Sequence, residues 1–158
     1  MKKYELTKET KVIGGKTLFR IRALRSFGDI KAGDLGGFIE NERNLSHEGN
    51  AWVSGDARVD GDAWVDGDAW VDGNAQVSGD GLINSNNDYL CEKGLGSHNR
   101  SASFFKCKDG HIHVLCGCFD GNLDEFENKV KKEHGNSKYA KEYLGFIEVV
   151  KTHFEVRQ

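Results

Sequence analysis

The run Lys93-Gly94-Leu95-Gly96-Ser97-His98-Asn99-Arg100 gathers anion-binding chemistry into one short stretch. Gly94 and Gly96 allow a turn whose backbone N–H groups converge, Lys93, Ser97 and His98 add donors, and Arg100 offers a planar, bidentate contact to a phosphate. The run is not a P-loop, because no Gly-Lys-Ser/Thr follows it. Its plain alternative is a strand connection.

A second cluster is Cys107, His111, His113, Cys116 and Cys118. These are zinc-ligating residue types. Asp109-Gly110 predicts a two-residue hairpin turn. That turn pairs Cys107 with Ile112, Phe105 with Val114 and Ser103 with Cys116. It puts Cys107 and Cys116 on one face and His111 and His113 on the other. Cys116-Gly117-Cys118 also lacks the usual two-residue spacing of a zinc turn. The cysteines are therefore read as buried thiols and no metal is expected. Cys116, Cys118 and His113 remain as the candidates, since a bulge at Gly117 would re-aim one side chain. Cys91 or Cys118 with His98 would make a nucleophile and base, but no orienting carboxylate is evident. No catalytic residue and no cofactor are expected.

Trp52, Trp64 and Trp70 make a third feature. They belong to the stretch GNAWVSGDARVDGDAWVDGDAWVDGNAQVSGDGLI, which repeats every six residues. Val53, Val59, Val65, Val71, Val77 and Ile83 recur in register and point inward. Gly55, Gly61, Gly67, Gly73 and Gly79 make the corners. A fixed six-residue period predicts a parallel β-helix, with residues eighteen apart stacked: Trp52 over Trp70, Arg58 over Gln76 and Trp64 beside Leu82. The tryptophans precede the inward valines, so they are expected to point outward. There they would serve a subunit interface, a stacking platform or this chain's own helices.

These features need elements to position them. Residues 1–43 read as a β-rich N-terminal cap, with a hairpin about Gly14-Gly15. Residues 44–85 read as a short left-handed parallel β-helix of hexapeptide repeats. Residues 86–158 read as an α+β module, a β-hairpin plus two helices. The first helix starts from Asn122 with Glu125 closing a capping box. Leu123, Phe126 and Val130 form its apolar stripe, and Gly135 ends it. The second starts near Ser137 and runs through Ala140, Tyr143, Ile147, Val150 and Phe154.

Composition limits partners. The chain has 158 residues and a net charge of -3. Residues 1–43 carry ten Lys/Arg against six Asp/Glu, and residues 44–88 carry one against nine. An acidic belt repels phosphate backbones, so duplex nucleic acid is not an expected partner. No apolar run is long enough to span a bilayer, so no membrane partner is expected, and four Cys read as reduced thiols of a cytoplasmic chain.

The hexapeptide run resembles the left-handed β-helix of hexapeptide acyltransferases, which are trimers with active sites between subunits. The resemblance implies a homo-oligomer, a trimer or a multiple of three, and leaves an acyltransferase-like remnant as one reading. It departs at His47, which occupies an inward position and makes a poor base. More of the chain is similar to uncharacterised bacteriophage proteins, on YELTKETKVIGGKTLFRIRALRSFGDIKAGDLGGFIENERNLSHEGNAWV and on SNNDYLCEKGLGSH and HVLCGCFDGNLDEFENKVKKEHGNSKYAKEYL. That resemblance implies phage origin and a site of action in the host cytoplasm. It carries no site residues. Phage accessory proteins include counter-defence sponges for nucleotide immune signals. The expected function is thus non-enzymatic sequestration of a small anionic, nucleotide-like ligand by Lys93, Gly94, Gly96, Ser97, His98 and Arg100, with Trp64 or Trp70 stacking a base. The alternatives are an inhibitor that binds a host defence protein and a virion structural module.

Overall fold

The structure is a computed structural model and describes residues 2–156. It divides into two compact units, one reaching Asn86 and the other starting at Asn87.

In the first unit, β1 (Tyr4–Ile13) and β2 (Lys16–Ala23) form an antiparallel hairpin, and β3 (Leu35–Ile39) pairs antiparallel with β2. Six two-residue strands follow: β4 (Trp52–Val53), β5 (Arg58–Val59), β6 (Trp64–Val65), β7 (Trp70–Val71), β8 (Gln76–Val77) and β9 (Leu82–Ile83). Their inward residues are apolar: Val53, Val59, Val65, Val71 and Ile83 are fully buried, and so are Ala51, Ala57, Ala63, Ala69 and Ala75. The corner glycines Gly55, Gly61, Gly67, Gly73 and Gly79 lie at φ between 56° and 64°, where a Cβ is strained.

The eighteen-residue register is present: Trp52 pairs with Trp70, Arg58 with Gln76 and Trp64 with Leu82, all parallel. The expected architecture, a left-handed parallel β-helix behind a separate cap, is corrected. Among the described residues the strands fall into four separate sheets, mostly antiparallel or mixed. The largest runs β1-β2-β3-β5-β8, so one column of repeat strands simply extends the N-terminal antiparallel sheet through β3. The other repeat strands form two isolated parallel pairs, β4-β7 and β6-β9. The physical reason is the open edge of β3. Its backbone groups demand partners, and Phe38 and Ile39 find them in Arg58 and Val59.

Burial also corrects one tryptophan. Trp52 is 1% exposed and packs edge-on against Phe27 at 5.3 Å and Tyr4 at 6.4 Å. The N-terminal strand covers it. Trp64 is half-buried, its Nε1 donating to Asp66 Oδ2 at 2.8 Å, and Trp70 is half-buried as well.

The same N-terminal seam buries a cation. Lys3 is fully buried, and its Nζ donates to the carbonyls of Ala51 at 2.5 Å and Glu48 at 3.4 Å. Burial, helped by the Arg25 charge, pushes its pKa down from 10.5 to about 8. Beside it burial holds the Tyr4 phenol well above its ordinary value, with the Glu42 charge adding to the effect. Below about pH 8, Lys3 is charged in both folded and unfolded chains, and the folded state bears the whole desolvation cost. Between about 8 and 10.5 the unfolded chain holds the proton that the folded one has lost, so stability rises with pH across that window. Above about pH 10 the unfolded Tyr4 ionises while the folded one does not, and stability falls. Urea midpoints measured from pH 7 to 11 are expected to peak near pH 10, where the Lys3 rise and the Tyr4 fall balance. In Lys3→Met the rise is expected to vanish and the alkaline fall to remain.

The second unit is a four-stranded antiparallel sheet in the order β10-β11-β12-β13, followed by two helices. Its elements are β10 (Tyr89–Leu95), β11 (Arg100–Lys106), β12 (Ile112–Cys116), β13 (Phe119–Asn122), α1 (Leu123–His134) and α2 (Lys138–His153). Both helix starts follow from their caps. Asn122 and Glu125 close a capping box, and Ser137 accepts from the Ala140 N–H. Leu123, Phe126, Val130, Ala140, Tyr143, Ile147 and Val150 bury one face of each helix against Ala102, Phe104, Ile112, Val114 and Cys116.

That core corrects the hairpin register. Phe104 pairs with Val114, Phe105 with His113 and Ala102 with Cys116, one residue off the predicted pairing. Gly110 alone has positive φ in the turn, at 89°, and the Cys107 N–H donates to the His111 carbonyl at 2.9 Å. This is a three-residue loop with glycine in the left-handed position, whereas a two-residue loop of type I′ needs positive φ at Asp109 too. A slip of one residue turns every side chain of β11 over. Phe104 joins the helices, and Cys107 joins His111 and His113 on the opposite face.

No helix among the described residues is long and apolar enough to cross a membrane.

Candidate functional site

The run from Lys93 to Arg100 is a hairpin end rather than an open glycine loop. Leu95 pairs with Arg100 across it, and the Asn99 N–H donates to the Gly96 carbonyl at 3.3 Å. Gly94 and Gly96 take positive φ, 92° and 75°, as does Asn99 at 50°. The expected nest of backbone donors is only partly available, because the Gly96 N–H is committed to Glu142 Oε1 at 2.6 Å. Gly96 is needed for another reason. A Cβ there would lie 2.2 Å from the Tyr143 hydroxyl, so the tight turn is what lets Tyr143 pack beneath it.

Beyond the turn, the second unit forms a half-open cavity of about 290 Å³. Ser97, His98 and Arg100 line it from the hairpin. Lys129, Glu133 and His134 line it from α1, and Phe119, Phe126 and Tyr143 supply aromatic walls. Lys93, Gly94 and Gly96 are not among its walls. Trp64 and Trp70 belong to the first unit, so the cavity's aromatic surface is not the one expected from the sequence.

The charges favour an anion. Among the described residues no carboxylate forms an ion pair with Arg100. Its guanidinium lies against the Gly117 backbone, where an added Cβ would meet Nη1 at 1.6 Å. Lys129 pairs with Glu133 at 3.7 Å and lies 5.6 Å from the Phe119 ring. The cavity therefore carries two fixed positive charges against one negative, with His98 and His134 as further donors.

The aromatic walls are held by their own contacts. Phe119 and Phe126 centroids are 5.0 Å apart, Phe126 meets Tyr143 edge-on at 5.8 Å, and His134 stacks on Tyr143 at 5.6 Å. Burial, with the neighbouring Cys116, pushes the Tyr143 phenol up to about 12, and burial pushes the Cys116 thiol up as well. Both stay protonated near neutrality and act as donors rather than as a base or a thiolate.

Of the residues that line the cavity, Ser97, His98 and Arg100 were singled out in the sequence, and Phe119, Phe126, Lys129, His134 and Tyr143 were not. The spacing of Phe126, Lys129, Val130, Glu133 and His134 does put them on one helical face. Nothing in it names the hairpin end opposite.

The metal candidates separate. Cys116 lies in the helix-side core and lines the cavity with Cys118. His113 is on the other face of β12, where Cys107, His111 and His113 bring their ligand atoms within 4.8 Å of one another. His47, the one histidine in the repeat region, is built into the fold. Its Nδ1 accepts from the Lys3 N–H at 3.1 Å, its Nε2 donates to Glu42 at 3.2 Å, and its ring stacks on Tyr4 at 4.1 Å.

No protein-family model and no curated protein matches the sequence.

Proposed function

We propose that the second unit binds a small phosphate ester of mononucleotide size, and that the protein is a phage accessory factor that sequesters this ligand without converting it. The observation that carries the reading is Arg100, which faces a cavity that also holds Ser97, His98, Lys129 and His134 and has no carboxylate partner among the described residues. A guanidinium in that state is poised for a phosphate. Phe119 and Phe126 provide the apolar wall for the flat part of the ligand. The cavity volume sits at the small end of ligand sites, about 300–1,000 Å³, which favours one phosphate and one base over a dinucleotide. Tyr143 and Cys116, held protonated, favour retention over chemistry.

Calorimetry of the intact protein tests this against linear and cyclic mononucleotides, a cyclic dinucleotide, inorganic phosphate and a nucleoside. A mononucleotide is expected to bind at one per chain and to be recovered unchanged. The nucleoside is expected to give no heat. Absence of heat from every phosphate would sink the reading, and conversion of the ligand would remove its non-enzymatic part. Gly117→Ala offers a separate handle. Its Cβ would displace the Arg100 guanidinium without changing the identity of any residue that lines the cavity. Affinity is expected to fall about 10-fold or more, with a stability cost near 1 kcal/mol from the positive φ.

A further inference from the structure

The hairpin register places Cys107, His111 and His113 on the face of the sheet away from the helices, with their ligand atoms within 4.8 Å of one another. Asp109 Oδ1 accepts from His111 Nδ1 at 2.5 Å and from the His111 backbone N–H at 3.0 Å. Asp120 Oδ1 accepts from His113 Nε2 at 2.5 Å. A neutral imidazole has a single N–H. Each carboxylate claims it from the outer ring nitrogen. The inner nitrogens, His111 Nε2 and His113 Nδ1, then face each other 3.2 Å apart as two lone pairs. Two acceptors at that distance repel unless a cation lies between them. A shared proton engages the two rings alone, and the Cys107 sulfur also lies within 4.8 Å of both inner nitrogens. A metal ion uses all three atoms.

We propose that Cys107 Sγ, His111 Nε2 and His113 Nδ1 bind a divalent zinc-type metal ion, with Asp109 and Asp120 orienting the two rings from behind. The distances suit it. Metal–nitrogen bonds of about 2.0–2.1 Å in a tetrahedron put the two nitrogens about 3.3–3.4 Å apart. A metal–sulfur bond of about 2.3 Å asks for a sulfur about 3.6 Å from each nitrogen. The present limit of 4.8 Å is closed by a small movement of the Cys107 side chain. Carboxylates on the outer nitrogens of metal-binding histidines fix tautomer and ring orientation. Cys107 is buried, while His111 and His113 are half-buried, so an ion reaches the site from the imidazole side. Three protein ligands leave a fourth position for water. Binding forms one metal–sulfur and two metal–nitrogen bonds. The Cys107 thiol proton leaves to solvent, and the ring protons stay on the nitrogens that the carboxylates hold.

Cobalt(II) titration of the intact, chelator-treated protein tests this, because a thiolate ligand adds a near-ultraviolet charge-transfer band. One cobalt per chain, a thiolate band and displacement by zinc are expected. Cys107→Ser is expected to abolish the band and to weaken zinc binding about 100-fold or more, and Asp120→Asn to weaken it about 10–100-fold with the band retained. Cys118→Ser, outside the three-ligand cluster, is expected to leave the thiolate band and the zinc affinity unchanged. Because Cys107 is buried, His111→Ala at the half-exposed turn gives a second reading, again about 100-fold. The proposal is overturned by a folded wild-type protein with no thiolate band, by a band that survives Cys107→Ser or vanishes in Cys118→Ser, or by unchanged zinc affinity in His111→Ala.

Discussion

Trp52→Ala is expected to destabilise the first unit by about 3–5 kcal/mol, a large share of the total stability of a small domain. The indole is 1% exposed and lies between Phe27 and Tyr4. Its Cζ2 atom sits where a Cβ on Gly36 would be 2.7 Å away, and that same Cβ would lie 2.5 Å from the Val53 carbonyl oxygen. The wall next to the ring is therefore backbone, which cannot collapse into the space that alanine leaves, so the cavity term is close to its full size. Trp64→Ala is the control. It removes the same residue from the same position of the repeat, but the ring is half-buried and its Nε1 bonds to Asp66. A loss of about 1 kcal/mol or less is expected there. Urea unfolding of the two variants beside wild type reads the difference directly. Equal losses would contradict the covering of Trp52 by the N-terminal strand.

Arg100→Ala is expected to lower affinity for the phosphate ligand about 100-fold or more. Removing one partner of a hydrogen-bonded charge pair costs about 2–5 kcal/mol, and about 1.4 kcal/mol is tenfold. The fold is expected to survive, because Arg100 is half-buried and its guanidinium rests on the backbone of Gly117 rather than inside the apolar core. Arg100→Lys keeps the charge and loses the planar fork, and an intermediate loss of about 10-fold is expected. Calorimetry on all three proteins distinguishes charge from geometry. An Arg100→Ala variant that binds as tightly as wild type would remove the guanidinium from the site.

The sequence made some of this legible and hid the rest for identifiable reasons. The valine and alanine columns, the corner glycines and the eighteen-residue register are periodic, and periodicity is read without tertiary knowledge. The helix starts at Asn122 and Ser137 are local hydrogen-bonding events and were equally visible. The β-helix reading failed because repeat period says nothing about what pairs with the open edge of Phe38 and Ile39. Trp52 precedes an inward valine like Trp64 and Trp70, yet only Trp52 lies under Tyr4 and Phe27. Asp109-Gly110 suits both a two-residue and a three-residue loop. One positive φ instead of two shifts the register by a residue, and that shift alone decides whether Cys107 faces His113. Of the cavity's lining residues, Ser97, His98 and Arg100 stood out by type. Phe119, Lys129 and Tyr143 reach them only through the packing of α1 and α2 on the sheet.

A phosphate ligand bound as proposed would lie in the second unit between the hairpin end and α1. The most direct measurement is a two-dimensional amide NMR titration of the intact protein with the mononucleotide that gives the strongest calorimetric heat. Saturable shifts are predicted for the amides of Ser97–Arg100 and Lys129–His134, with those of Trp64 and Trp70 unchanged. Shifts centred on Trp64 and Trp70, or none in either helix or hairpin end, would contradict the account.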